Sequence, residues 1–177
     1  MCRSKASVWA SGLTVILAGG LLAATTGTQS FTLTVPSVLS ITAPSAATAT
    51  HDGTNANQAF SAQAWQVDQN QILGATANFA VATPFIHGTN ATIKRNCKLA
   101  IAVGSSDTGS GWTATVANDQ TDYANAIPKN TATVTAVSTA AGKATLNLTV
   151  TFLDTLYSAL PTGSYSVTVT GTVAANL

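Results

Sequence analysis

Residues 144–152 read Ala144-Thr-Leu-Asn-Leu-Thr-Val-Thr-Phe152. In an extended chain, successive side chains point to opposite faces. Leu146, Leu148, Val150 and Phe152 then share one face, and Thr145, Asn147, Thr149 and Thr151 the other. The neighbouring sequence repeats the pattern. Thr131-Ala-Thr-Val-Thr-Ala-Val-Ser138 alternates Thr with Ala or Val, Ala140-Ala-Gly-Lys143 supplies a turn, and Tyr165-Ser-Val-Thr-Val-Thr-Gly-Thr-Val173 returns to period two. A dry face opposed to a polar face is the pattern of an antiparallel sheet packed on one side. Leu148, Val150, Val167 and Val169 are expected to point inward.

Working outward, the same periodicity predicts strands over residues 31–35 (Phe31, Leu33 and Val35 on one face), 59–67, 75–82, 98–103 and 112–117. Pro36 interrupts the first of these, and residues 38–42 continue it. Turn signals separate the strands: His51-Asp-Gly53, Asp68-Gln-Asn70, the polar run 104–111, and a long connection over 118–129. Residues 85–96 carry no clear period. About eight short strands at this spacing, with no amphipathic helical segment after the N-terminal region, predict a single immunoglobulin-like antiparallel β-sandwich. Its expected extent is residues 29–177.

The first 28 residues read as a secretory signal. Arg3 and Lys5 precede an apolar run from Val8 to Ala24, and small residues follow. The run is close to membrane-spanning length, so an uncleaved anchor is the competing reading. Cleavage leaves five basic and six acidic residues from the seven and six of the whole chain, a net charge of about −1. All six acids are Asp, and charged residues make up only 7% of the chain, which excludes the clustered basic surface that nucleic acid requires. Lys94, Arg95 and Lys98 are the only basic group and read as a solvated edge. Cys2 falls in the signal, so Cys97 has no internal partner and reads as a buried thiol, an intermolecular bridge being the alternative.

The segment Leu160-Pro-Thr-Gly-Ser-Tyr-Ser-Val-Thr-Val-Thr-Gly-Thr-Val173 resembles the C-terminal strand of secreted bacterial fimbrial-type domains, the spore coat protein U group and colonisation-fimbria subunits. The resemblance covers that segment only. It implies a β-sandwich that assembles by strand addition and has no catalytic residues. Such subunits often carry a disulfide, and this chain cannot form one internally. Tyr165, just inside its strand, resembles the tyrosine corner of immunoglobulin-like domains, whose hydroxyl bonds to upstream backbone.

The inventory for catalysis is thin. His51 and His87 are the only imidazoles and lie in turn-like sequence, and Ser110 in Thr108-Gly-Ser-Gly-Trp112 lacks the spacing of a nucleophile elbow. The chain reads as a non-enzyme without a cofactor. Asp107, Asp119 and Asp122 flank the strand at Trp112 and are weak calcium candidates, against the commoner role of Asp as a turn cap. The expected function is a secreted or cell-surface structural or adhesive subunit of a bacterium. It would assemble through β-strand contacts made by Phe31, Leu33 and Val35 and by Tyr165, Val167 and Val169. Its partners would be other copies or surface proteins, with no membrane contact after signal cleavage. The alternative is a monomeric extracellular binding module for glycan or protein, using loop aromatics such as Trp112 or Tyr123.

Overall fold

The computed structural model describes residues 25–154 and 156–177. The signal expected over 1–28 therefore lies outside the described residues as far as residue 24. The chain divides into a unit of residues 1–34 and a unit from Val35 to Leu177. In the first, the described residues 25–34 are exposed and form no strand. Among the described residues, all regular structure belongs to the second. Among the described residues, no helix is long and apolar enough to cross a membrane.

The second unit is the expected all-β antiparallel sandwich. It holds twelve strands rather than about eight: β1 (Leu39–Thr42), β2 (Gln58–Ala59), β3 (Gln63–Gln69), β4 (Ala75–Val81), β5 (Phe85–His87), β6 (Asn90–Ser106), β7 (Thr113–Val116), β8 (Asn118–Gln120), β9 (Ala132–Val137), β10 (Ala144–Leu153), β11 (Tyr165–Ser166) and β12 (Val169–Ala175). A single 3-10 turn spans Tyr157–Ala159. The larger sheet runs β1-β3-β10-β6-β5-β11, with β2 also on β10 and β8 on β6; the smaller runs β12-β4-β9-β7.

The strand count rises because several periodic stretches break where the chain changes partner. Residues 59–67 divide into β2 and β3, both on β10. Residues 165–173 divide between the sheets: β11 pairs with β5 in the larger one, and β12 with β4 in the smaller. Residues 85–96, which lack a clear period, form a hairpin and the start of the 17-residue β6. The turn after β3 lies beyond Asn70, at Ile72 and Leu73, and is closed by Gly74 at φ 75° with its amide donating to Gln71.

The expected inward set on β10 is buried. Leu146, Leu148, Val150 and Phe152 join Trp65, Val67, Leu99 and Ile101 from the larger sheet. They face Ala75, Ala77, Phe79, Val81, Ala132, Val134 and Ala136 of β4 and β9. The alanines make room for the large rings: Trp65 and Phe79 meet edge to face at 5.1 Å. A buried polar link also ties the sheets together. Gln69 of β3 donates through Nε2 to Ser138 Oγ (3.2 Å) and to the Ala140 carbonyl (2.7 Å), while Ser138 Oγ accepts from the Ala75 amide (2.7 Å).

Candidate functional site

Two strands leave main-chain edges without a partner on one side of the sandwich. β12 is an edge of the smaller sheet, pairing only with β4. β1 is an edge of the larger sheet and covers β3 only over residues 66–69, so the β3 edge at Gln63–Trp65 lies open on that side. β12, Val169-Thr-Gly-Thr-Val-Ala-Ala175, carries no Lys, Pro or charge of the kind that usually blunts an exposed edge.

Beside these edges lies an apolar cleft of about 1040 Å³. Its floor comes from the aromatic end of the larger sheet: Phe60, Trp65, Phe85, Val150 and Phe152. The rings are in serial contact, Phe60 on Phe85 (6.1 Å), Phe85 on Phe152 (5.1 Å) and Phe152 on Tyr165 (5.4 Å). One wall is the segment where the chain changes sheets, Ser164 to Val169, and the other is residues 43–51. Val167 and Val169, expected to be inward, are half-buried because they border this cleft rather than a complete core.

Two glycines shape the walls. At Gly171 a Cβ would lie 2.6 Å from the Trp65 ring and 3.1 Å from Ile41, so only glycine lets β12 close over that indole. At Gly163, φ is 143° and a Cβ would collide with the His87 ring. Tyr165 anchors the same wall: its hydroxyl donates to the Pro161 carbonyl at 3.0 Å, the upstream backbone bond of a tyrosine corner. Burial raises the pKa of this phenol, so it stays a neutral donor.

The strand expected over residues 31–35 does not form within the chain. Phe31, Leu33 and Val35 are 86%, 89% and 70% exposed. A strand needs a partner edge for its amides and carbonyls, and the residues that pair with the β3 edge are those of β1, in register from Leu39↔Gln69 to Thr42↔Gln66. The assembly residues named from the sequence thus fall into two groups. Tyr165, Val167 and Val169 line the cleft, and Phe31, Leu33 and Val35 are an exposed alternating segment.

The other sequence candidates serve local structure. Trp112, offered as a loop aromatic for ligands, is a core residue whose indole N–H donates to the Gly142 carbonyl at 3.3 Å; Tyr123 is half-buried. The weak calcium candidates act as caps. Asp107 accepts from the Lys143 amide (2.8 Å), Asp119 from the Gln120 and Thr133 amides and from Lys129 Nζ, and Asp122 from Asn125 (3.1 Å). Among the described residues no three His, Cys or Asp side chains gather as a metal site. His87 places Nε2 3.0 Å from the Thr162 carbonyl and accepts the Thr89 amide on Nδ1, beside a second depression of about 560 Å³. Ser110 donates its hydroxyl to the Asp107 carbonyl. Cys97 is fully buried, and burial pushes its thiol up to about 12.

Sequence reasoning missed His51 and Asp154 as a pair. His51 Nε2 lies 3.7 Å from Asp154 Oδ2, and Arg95 Nε is 3.7 Å from Asp154 Oδ1. The only signal in the sequence was the rarity of charge and of His, which makes any buried carboxylate conspicuous. Compared with family models, characterised proteins and solved structures, the chain matches none.

Proposed function

We propose that the chain is a structural subunit of an extracellular or cell-surface assembly, built by adding a strand from one copy to the cleft of the next. The observation that carries this reading is the apolar cleft beside the unpaired edge of β12. The chain itself supplies a strand of matching chemistry. Phe31-Thr-Leu-Thr-Val35 is uncharged, alternates apolar with polar residues and lies exposed. Placed where the edge of β12 meets the cleft at Val169, its main chain would pair the free amides and carbonyls there, and its apolar side chains would enter the cleft. The low charge, 7% of residues, removes the repulsion that would otherwise oppose close packing of identical copies. The secretory signal expected over 1–28 supports export.

The test is assembly state. Purified protein should form oligomers or fibres by light scattering and electron microscopy. Leu33→Asp should abolish them while leaving the melting temperature of the monomer unchanged, because Leu33 is 89% exposed. A wild-type chain that stays monomeric at high concentration would sink the reading.

A further inference from the structure

Residues 43–50, Ala43-Pro-Ser-Ala-Ala-Thr-Ala-Thr50, run along the cleft as one of its walls. Among the described residues, no main-chain hydrogen bond holds this strap to either sheet. Its hydrogen-bonded and ring contacts lie at its two ends. At one end β1 pairs with β3. At the other, His51 sits in a nest built by the connection after β10: its ring stacks on Tyr157 at 4.9 Å and meets the edge of Phe152 at 6.2 Å. The loop behind it is tied to the same connection by two asparagines. Asn55 Oδ1 accepts from the Tyr157 amide (2.8 Å), and Asn57 Oδ1 from the Asp154 amide (3.0 Å).

The charges around His51 are unusual for a chain so poor in them. Asp154, only 5% exposed, presents Oδ2 to His51 Nε2 at 3.7 Å. Asp52, on the same loop, presents Oδ1 to His51 Nδ1 at 3.8 Å. Asp52 stays ionised because hydrogen bonds from the Thr54 amide and hydroxyl hold its carboxyl below the usual range. Arg95 of β6 reaches Asp154 on its other oxygen, so this carboxyl group stands between the guanidinium and the imidazole. Tyr157 and Phe152 contribute no charge, and the Tyr157 ring face favours a cation stacked on it.

We propose that His51 is a proton-operated latch on the strap: the protonated imidazole, held between Asp154, Asp52 and the Tyr157 ring, keeps residues 43–50 seated along the cleft, and its neutral form lets the strap swing away for an incoming strand. This deepens the strand-addition reading and rests on it for its consequence, which is that acid slows assembly and neutral to mildly alkaline pH permits it. Imidazole changes charge across the range that separates an acidic compartment from a neutral exterior.

The experiment separates the latch from the assembly. Amide hydrogen exchange of dilute protein reads the latch through the Asp154 and Tyr157 amides, whose acceptors belong to the His51 loop. At pH 5.5 wild type should protect these amides about two- to fivefold more than His51→Gln, the range that a partly exposed ion pair supplies. At pH 8 the ratio should fall, leaving only what the ring contacts with Tyr157 and Phe152 supply. Light scattering of concentrated protein reads assembly: the rate should rise from pH 5.5 to pH 8 in wild type and be pH-independent and fast in His51→Gln. Equal protection in the two proteins at pH 5.5 would overturn the latch, whatever the assembly data. Absence of assembly at both pH values, with the protection difference intact, would overturn strand addition and leave the latch as a lock on the strap alone.

Discussion

Cys97 shows how burial decides the chemistry of a single residue. Its sulfur is fully enclosed, its amide donates to Thr121 Oγ1 at 2.8 Å, and desolvation pushes the thiol up to about 12. Only a thiolate attacks alkylating agents or disulfides. Folded protein should therefore resist maleimide at pH 7.5, react once unfolded by guanidinium, and migrate as a single chain on a denaturing gel without reductant; a covalent dimer would contradict this placement. Asp119 shows the converse. Burial opposes its charge, but hydrogen bonds from Lys129, Thr133 and Gln120 outweigh it and lower the carboxyl pKa. A lowered folded-state pKa gives stability that is present above the unfolded value, about 3.9, and is lost as pH falls through the folded value. Asp119→Asn should thus destabilise at pH 7, by less than about 1 kcal/mol because the pair is partly solvated. The deficit relative to wild type should shrink in melts taken below pH 4.

Among the elements, β10 carries the centre of the core and β12 its open side. β10 pairs with β6 along its length, with one irregularity between Thr145 and Leu146, and on its other side with β3 and then β2. Leu148 is 1% exposed, whereas Thr149 is on the opposite, half-buried face. Leu148→Ala should cost about 2–5 kcal/mol and Thr149→Ala well under half of that in denaturant titrations. Equal losses would mean the register is shifted by one residue, since a single slip exchanges the faces. β12 has the same alternation, yet Val169 and Val173 are only half-buried. Its Gly171 receives the Trp65 ring in place of a side chain of its own. Periodicity marks which residues face inward, but not whether anything lies there to meet them.

For the whole molecule, the N-terminal residues divide into two roles at Pro36. Asn70 Nδ2 donates to the Pro36 carbonyl (2.8 Å), Asn70 Oδ1 accepts from the Val38 amide (2.7 Å), and Gln71 donates to Ser37 Oγ (2.7 Å), tethering the chain just before β1. Residues 31–35 lie beyond that tether and bury nothing of their own. A chain beginning at Pro36 should keep the wild-type melting temperature and lose assembly. A chain beginning at Pro44 loses β1 as well. It leaves the whole β3 edge bare beside Trp65 and Val67, and should melt several degrees lower. If both truncations melt alike, β1 is not an integral strand. If the Pro36 chain still assembles, another segment enters the cleft.

The sequence by itself determined the class and the alternation. Period two in residues 131–138 and 144–152 survives in β9 and β10 with the expected faces inward, because alternation is a local property of extended backbone. Turn residues such as His51-Asp-Gly53 were legible for the same reason: Gly53 takes φ 80°, and Asp52 caps the Thr54 amide at 2.8 Å. Only the tertiary structure decided what depends on partners distant in sequence. It divided residues 165–173 between two sheets, gave the β3 edge to residues 39–42 and left residues 31–35 exposed, and carried Trp112 from a loop candidate into the core. It also brought His51 and Asp154 together across 103 positions. The candidate site was half visible, as Tyr165, Val167 and Val169 on one periodic stretch. The cleft they border was not, because an unfilled space between two sheets has no signature in either strand alone.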